Sequence, residues 1–196
     1  PRDRAETRRE LGLPLDERII TFVGVLTPRK GIDTLIEAMG RLTDDPRPPM
    51  LVIAGIGELR ESLDARISEL GIGDRVRFVG KVPHDGVAKW LAAGGVCCLP
   101  SCCEGLPTGV CEAMAGGRAG VATAVDGTPE IVDDGATGYL VPVTDPVALA
   151  GALRRVLDDD ATRERFEAEA LRRSQATYTW AANAAAHIPL YEAILR

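Results

Sequence analysis

The sequence predicts an α/β fold, a doubly wound sheet of about six parallel strands followed by a helical tail. Three observations carry this expectation. Short β-branched runs recur along the chain and alternate with stretches whose apolar residues fall at helical spacing. Glycine or proline punctuates most strand-to-helix junctions. Beyond residue 145 the strands cease, and helical patterns follow one another to the end.

Taken in order, residues 1–17 read as a charged lead-in of mixed arginine and glutamate, with a turn at Leu11-Gly12-Leu13-Pro14. Residues 19–25 (IITFVGV) form the first strand, and residues 26–31 the loop after it. Ile32, Leu35, Ile36 and Met39 then mark a helix. Residues 50–54 are the second strand, Gly55-Ile56-Gly57 a turn, and Leu59, Leu63, Ile67 and Leu70 the stripe of a second helix. Residues 76–80 and 96–100 are the third and fourth strands, with a short helix over 87–93 between them. Residues 120–124 and 138–141 are the fifth and sixth, with a short helix opening at Thr128. Residues 145–157, 162–175 and 180–195 read as tail helices. Strands alternating with helices imply right-handed crossovers, a Rossmann-like sheet, and a ligand at the carboxyl ends of its strands.

The 196 residues, 45% of them hydrophobic, suffice for one substantial core, so residues 1–196 read as a single domain. With 27% charged residues and mean hydropathy near zero, the class is soluble and globular. No apolar run approaches a membrane span, and no secretory signal opens the chain. A first residue of proline suggests a fragment or a processed chain. The net charge of −6 argues against a general nucleic-acid or anionic-membrane surface, so any phosphate site must be local. The five cysteines (Cys97, Cys98, Cys102, Cys103, Cys111) lack CxxC spacing and have neither His84 nor His187 nearby, so no metal is expected. They read as buried apolar fillers in a reduced, cytoplasmic protein.

The chain's chemistry concentrates in residues 99–117 (LPSCCEGLPTGVCEAMAGG). This reads as a strand end closed by Ser101 and Cys102, a tight loop, and a helix with Pro107 in its first turn. Gly105 permits close backbone approach, Glu104 sits in the loop, and Glu112 lies about two turns into the helix. Free amides at the positive end of that helix suit a phosphate, and the two carboxylates suit hydroxyl-rich groups on either side. A phosphate flanked by two sugars is a nucleotide-diphosphate sugar. Lys30, between Gly24 and Gly31 in the loop after the first strand, can reach that diphosphate, and Arg29 is a second cation beside it.

Other candidates are weaker. Gly55-Ile56-Gly57 lacks the third glycine of a dinucleotide fingerprint, Arg60 standing in its place, which argues against a nicotinamide-dependent oxidoreductase. His84 reads as a turn or cap residue. The Asp158-Asp159-Asp160 and Asp133-Asp134 runs read as solvated loop charges, and Glu130 as a helix-dipole partner or, alternatively, a residue facing the sugar pocket.

The pattern Pro100-Ser101-x-x-Glu104-Gly105-Leu106-Pro107-x-x-Val110-x-Glu112-Ala-Met-Ala resembles the donor site of glycosyltransferase family 4, the group 1 glycosyl transferases. Phe22-Val23-Gly24, Lys30-Gly31, residues 52–57, the segment 76–82 and Gly127-x-Pro129-Glu130-Ile131 follow in the family's order. The resemblance implies the C-terminal, donor-binding half of a GT-B fold. It implies retaining, metal-independent transfer of a hexosyl group from a UDP-, GDP- or ADP-sugar. No cofactor is implied beyond that donor substrate. By position, Lys30 and Glu104 would be the catalytic pair, Lys30 on the diphosphate and Glu104 on the hydroxyls of the transferred sugar. Glu112 would take the ribose, Gly105, Leu106, Pro107 and Thr108 the sugar and phosphate, and Lys81 and Val82 the base. Gly24, Arg29, Gly55, Gly57, Ser101 and Val110 complete the implied donor-binding set. The implied partner is an N-terminal acceptor-binding domain, through which alone any peripheral membrane association would arise. The tail, with Trp180 and Tyr191, is expected to expose apolar surface and to self-associate.

The family usually carries an arginine where this chain has Val25. Loss of that cation is expected to weaken phosphate binding by about 1.5–3 kcal/mol, with Arg29 as a substitute. The alternative to an enzyme is a non-catalytic nucleotide-binding or partner module derived from the same fold.

Overall fold

The computed structural model describes residues 2–195. The elements run α1 (Arg4–Glu10), β1 (Ile19–Val23), α2 (Ile32–Gly40), β2 (Met50–Ala54), α3 (Arg60–Glu69), β3 (Val76–Gly80), α4 (His84–Ala93) and β4 (Val96–Leu99). They continue through α5 (Thr108–Ala115), β5 (Gly120–Thr123), α6 (Thr128–Ile131), β6 (Gly138–Val141), α7 (Pro146–Asp158), α8 (Asp160–Thr177) and α9 (Trp180–Ile194). The strands form one parallel sheet in the order β3-β2-β1-β4-β5-β6, with Val23 opposite Ala54, Ile20 opposite Val96 and Cys98 opposite Val121. This is the doubly wound arrangement, with its switch between β1 and β4.

The central strands are apolar on both faces because helices cover both. Ile20, Phe22, Leu51 and Ile53 pack with Ile32, Leu35 and Ile36 of α2 and Leu149, Leu153 and Val156 of α7. Ile19 and Val52 join Ala93 of α4 in a second cluster, and Leu99 meets Val110 and Met114 of α5 in a third. Helix α8 links these layers: Phe166 stacks edge-on against Tyr139 at 5.0 Å, and Ala170 packs with the α5 cluster. Helix α9 buries no residue; Trp180, Ile188, Leu190, Tyr191 and Ile194 are all exposed.

The lead-in differs from its reading as simple charged chain. Asp3 caps α1 by accepting from the Glu6 amide, and the buried Arg8 guanidinium donates to the carbonyls of Ala93, Leu15 and Glu17 at 2.7–2.9 Å. Burial, then the nearby Arg4, Arg118 and Arg163, lowers the pKa of Arg8 to about 10. The only sequence cue was a capping aspartate before a polar run of good helix formers. Strands β1 and β4 end at Val23 and Leu99, earlier than expected, so Gly24, Val25, Ser101 and Cys102 belong to the loops.

The cysteines are also a correction. Cys97 and Cys98 are buried in β4, but Cys102 and Cys103 are exposed beyond its end and Cys111 is half-buried. Burial pushes the Cys97 thiol up to about 11 and Cys98 higher still. Since the thiolate is the reactive form, the native protein should consume about two equivalents of a disulfide reagent quickly. Cys111 should follow slowly, and the last two thiols only on unfolding. Fast reaction of a β4 cysteine in the native state would contradict this packing.

Candidate functional site

The loops following β1, β2, β4 and β5 converge at the carboxyl edge of the sheet. The first two interlock through main chain. The Gly24 amide donates to Ala54 and the Leu26 amide to Ile56, each at 3.0 Å. A Cβ on Gly55 would stand 1.8 Å from the Gly24 carbonyl oxygen, and one on Gly57 2.3 Å from that of Leu26. The space these two glycines leave free is therefore filled by the neighbouring loop. Gly31 does the same between β1 and β4: it adopts φ +58°, and a Cβ would lie 1.9 Å from the Pro100 carbonyl oxygen. The Cys102 amide donates to the Arg29 carbonyl at 2.8 Å, fastening these loops together.

This fastening brings Lys30 to Glu104 across 74 positions of sequence, with Nζ 2.5 Å from Oε1. Glu104 is 8% exposed, and the buried Ser101 hydroxyl donates to the same oxygen at 2.6 Å. Ser101 therefore meets the site through Glu104. Its carbonyl accepts from the Thr123 hydroxyl at 2.5 Å, which ties the loop to β5. The carboxylate has one cation and one hydroxyl on a single oxygen.

The helix after this loop starts at Thr108, and Pro107 is its N-cap residue rather than part of its first turn. Val110 and Cys111 return their amides to the Pro107 carbonyl. Among the described residues, the amides of Gly105, Leu106, Thr108 and Gly109 donate to no protein acceptor. The Glu104 amide is taken: it donates to Asp126 Oδ2 at 2.7 Å. A Cβ on Gly105 would meet nothing, so no protein atom crowds this residue. The close approach in this region is made by Gly127, whose added Cβ would lie 2.4 Å from the Gly105 carbonyl oxygen.

Glu112 is half-buried on α5, just over one turn from its start rather than two. Val110 is buried beneath the helix with Leu99 and Met114, a packing position. Leu106 and Thr108 are exposed at the loop and helix start. Arg29 is exposed beside Lys30, and Val25 is 56% exposed. Lys81 and Val82 follow the edge strand β3, two strands away from β1 in the sheet. His84 is exposed at the start of α4, and no group of three or more potential metal ligands occurs among the described residues.

Sequence reasoning did not single out Thr123 or Asp126, and named Gly127 only within the motif that carries the resemblance. Their available cue was position: they end β5 and open the adjoining loop, next to β4 in the sheet. That adjacency exists only once strand order is known.

Residues 3–173 match the family model described as Glycosyl transferases group 1. The chain is 37% identical over 206 residues to the D-inositol 3-phosphate glycosyltransferase of Nocardioides sp., covering 97% of this chain and 45% of that protein. It superposes on sucrose-phosphate synthase from Thermosynechococcus elongatus with a TM-score of 0.89 at 35% identity, covering 98% of this chain and 49% of that one. The crystallised C-terminal domain of a group 1 family glycosyl transferase (LpcC) from Francisella tularensis has the same fold, with a TM-score of 0.84 at 22% identity. That match covers 92% of this chain and 95% of that one. The chain spans about half the length of the curated relatives it matches. With its Rossmann-like sheet, the C-terminal half of a GT-B fold, it belongs to the group 1 glycosyl transferases.

Proposed function

We propose that this chain is the donor-binding half of a retaining, metal-independent glycosyltransferase, holding a nucleotide-diphosphate sugar at the carboxyl edge of its sheet. The observation that carries the proposal is the Lys30–Glu104 contact at 2.5 Å, set before the unoccupied amides of Gly105, Leu106, Thr108 and Gly109. Those amides and Lys30 are the groups a diphosphate needs, and they offset the charge that grows on it as it leaves. Glu104 has a second carboxylate oxygen for sugar hydroxyls, and Glu112 reaches for the ribose. The acceptor is held by a second domain, which agrees with relatives about twice as long. In the described residues no helix is long and apolar enough to cross a membrane.

One observation favours a second reading, a nucleotide-binding module without transfer. Val25 stands exposed where the resemblance led us to expect an arginine, so Lys30 works with one fewer cation. Arg29 is the nearest replacement.

Calorimetric titration with UDP, GDP and ADP and their hexose conjugates tests both readings. One nucleotide should bind, and Glu112→Ala and Arg29→Ala should each weaken it about tenfold, the size of one charge-assisted hydrogen bond. Wild-type affinity in Glu112→Ala would remove the ribose role, and in Arg29→Ala the substitution for Val25. If no nucleotide binds at millimolar concentration but Val25→Arg restores binding, Val25 marks a lost donor site and both nucleotide-binding readings fall.

A further inference from the structure

We propose that Asp126 is a positioning residue for Glu104, holding the glutamate's loop in its donor-binding geometry at a cost in backbone strain. The inference rests on the donor-site reading above.

Asp126 adopts φ +42°, and it is one of two non-glycine residues in the left-handed region among the described residues. Glycine would occupy this conformation freely, whereas an L-residue with a side chain does so at a cost. Aspartate bears that cost better than most residues and brings what glycine lacks, a hydrogen-bond acceptor. Its Oδ2 accepts from the Glu104 backbone amide at 2.7 Å, a charge-assisted bond joining the β5–α6 loop to the β4–α5 loop.

That bond is the middle one of three contacts seating the Glu104 loop on the end of β5 and the loop after it. Thr123 donates its hydroxyl to the Ser101 carbonyl, and Gly127 packs against the Gly105 carbonyl. Together they hold residues 101, 104 and 105. Thr123 is buried, but Asp126 lies on the exposed part of its loop, so its bond is the one most open to solvent. By drawing the Glu104 amide toward β5, Asp126 sets the backbone from which the Glu104 side chain reaches Lys30 and Ser101. It also leaves the next amides, Gly105 and Leu106, without protein acceptors. Free amides and a fixed carboxylate on one loop are what the donor requires, so a loosened loop would lose both together.

Three variants of the full chain separate positioning from mere stability. Asp126→Asn keeps a short acceptor and tolerates positive φ. Asp126→Gly relieves the strain but removes the acceptor, and Asp126→Ala removes the acceptor and keeps the strain. The readouts are melting temperature, hydrogen exchange of the Glu104 amide, and affinity for whichever of UDP, GDP or ADP binds the wild type. Glycine and alanine variants should both exchange the Glu104 amide at least tenfold faster and bind nucleotide at least fivefold more weakly. Their melting temperatures should separate, with glycine at or above wild type and alanine below it. Asparagine should stay within threefold of wild type in both exchange and affinity. An Asp126→Gly protein with wild-type exchange and affinity overturns the proposal, as do losses that simply follow melting temperature. If the wild type binds none of the three nucleotides, the donor reading falls, and the positioning claim is then judged by Glu104 exchange alone. Unchanged exchange in Asp126→Gly refutes it.

Discussion

Lys30→Ala should cost this protein both its nucleotide and part of its stability, and the two losses should have separable causes. On the donor-site reading, removing the ammonium takes a charge-assisted contact from the diphosphate, about 1.5–3 kcal/mol or roughly 10- to 150-fold in affinity. It also leaves the Glu104 carboxylate, 8% exposed, with only the Ser101 hydroxyl for company. An uncompensated buried charge costs about 1–3 kcal/mol or more. The double variant Lys30→Ala/Glu104→Gln removes that charge while its amide oxygen still accepts from Ser101. Urea unfolding should therefore show stability returning to within about 1 kcal/mol of wild type, because a neutral pair is cheaper to bury than half an ion pair. Calorimetry should show affinity remaining lost. Should the double variant be as unstable as Lys30→Ala alone, the contact does not neutralise a buried charge. Should Lys30→Ala bind nucleotide normally, the diphosphate lies elsewhere.

Gly31→Ala should be the most damaging single-methyl change in the site. At φ +58° an alanine pays the left-handed penalty, about 1–2 kcal/mol. In addition its Cβ would be placed 1.9 Å from the Pro100 carbonyl oxygen and 2.9 Å from its carbon. That obstacle is the backbone at the end of a central strand, so relief requires the β1 and β4 loops to part. The total should be on the order of 3–5 kcal/mol, a large share of the roughly 5–15 kcal/mol that holds a domain together. For a chain of this size that is a fall in melting temperature on the order of 10 °C. Gly71→Ala is the control: φ is +67° there, but a Cβ would meet nothing within 4 Å. It should show the conformational penalty alone, about 1–2 kcal/mol. Equal effects at the two positions would mean that the β1 and β4 loops are not held as closely as described. Because Gly31 adjoins Lys30, the nucleotide affinity of Gly31→Ala should fall along with its stability.

The same pair of residues shows where sequence reading reaches and where it stops. The central strands were legible because a strand buried on both faces needs an unbroken apolar run, the edge strands because they alternate with helices, and helices showed through spacing that repeats within a few residues. Lys30 and Glu104 could be singled out as candidates because loops at the carboxyl ends of parallel strands share one edge of the sheet, and there the structure brings the two into contact. The donor roles expected of them came from a resemblance over nearly the whole chain, and the family model matches residues 3–173. Helix α1 was not legible: its docking depends on Arg8 reaching the Ala93 carbonyl at the end of α4, 85 residues away. Nor were the exposed Cys102 and Cys103, which lie in the loop beyond β4, where the chain leaves the core.

What the sequence by itself determined was therefore the set of elements, their parallel winding, and the loops that carry reactive groups. All of these follow from patterns local in the chain. Only the tertiary structure decided that Gly31, Gly55, Gly57 and Gly127 make room for neighbouring backbone. It alone decided that Ser101 acts through Glu104, and that Asp126 takes the amide next to the unoccupied ones. Each of these is a contact between loops that the order β3-β2-β1-β4-β5-β6 sets side by side. Crossover connections set that order, joining residues tens of positions apart whose attraction leaves no periodic trace along the chain.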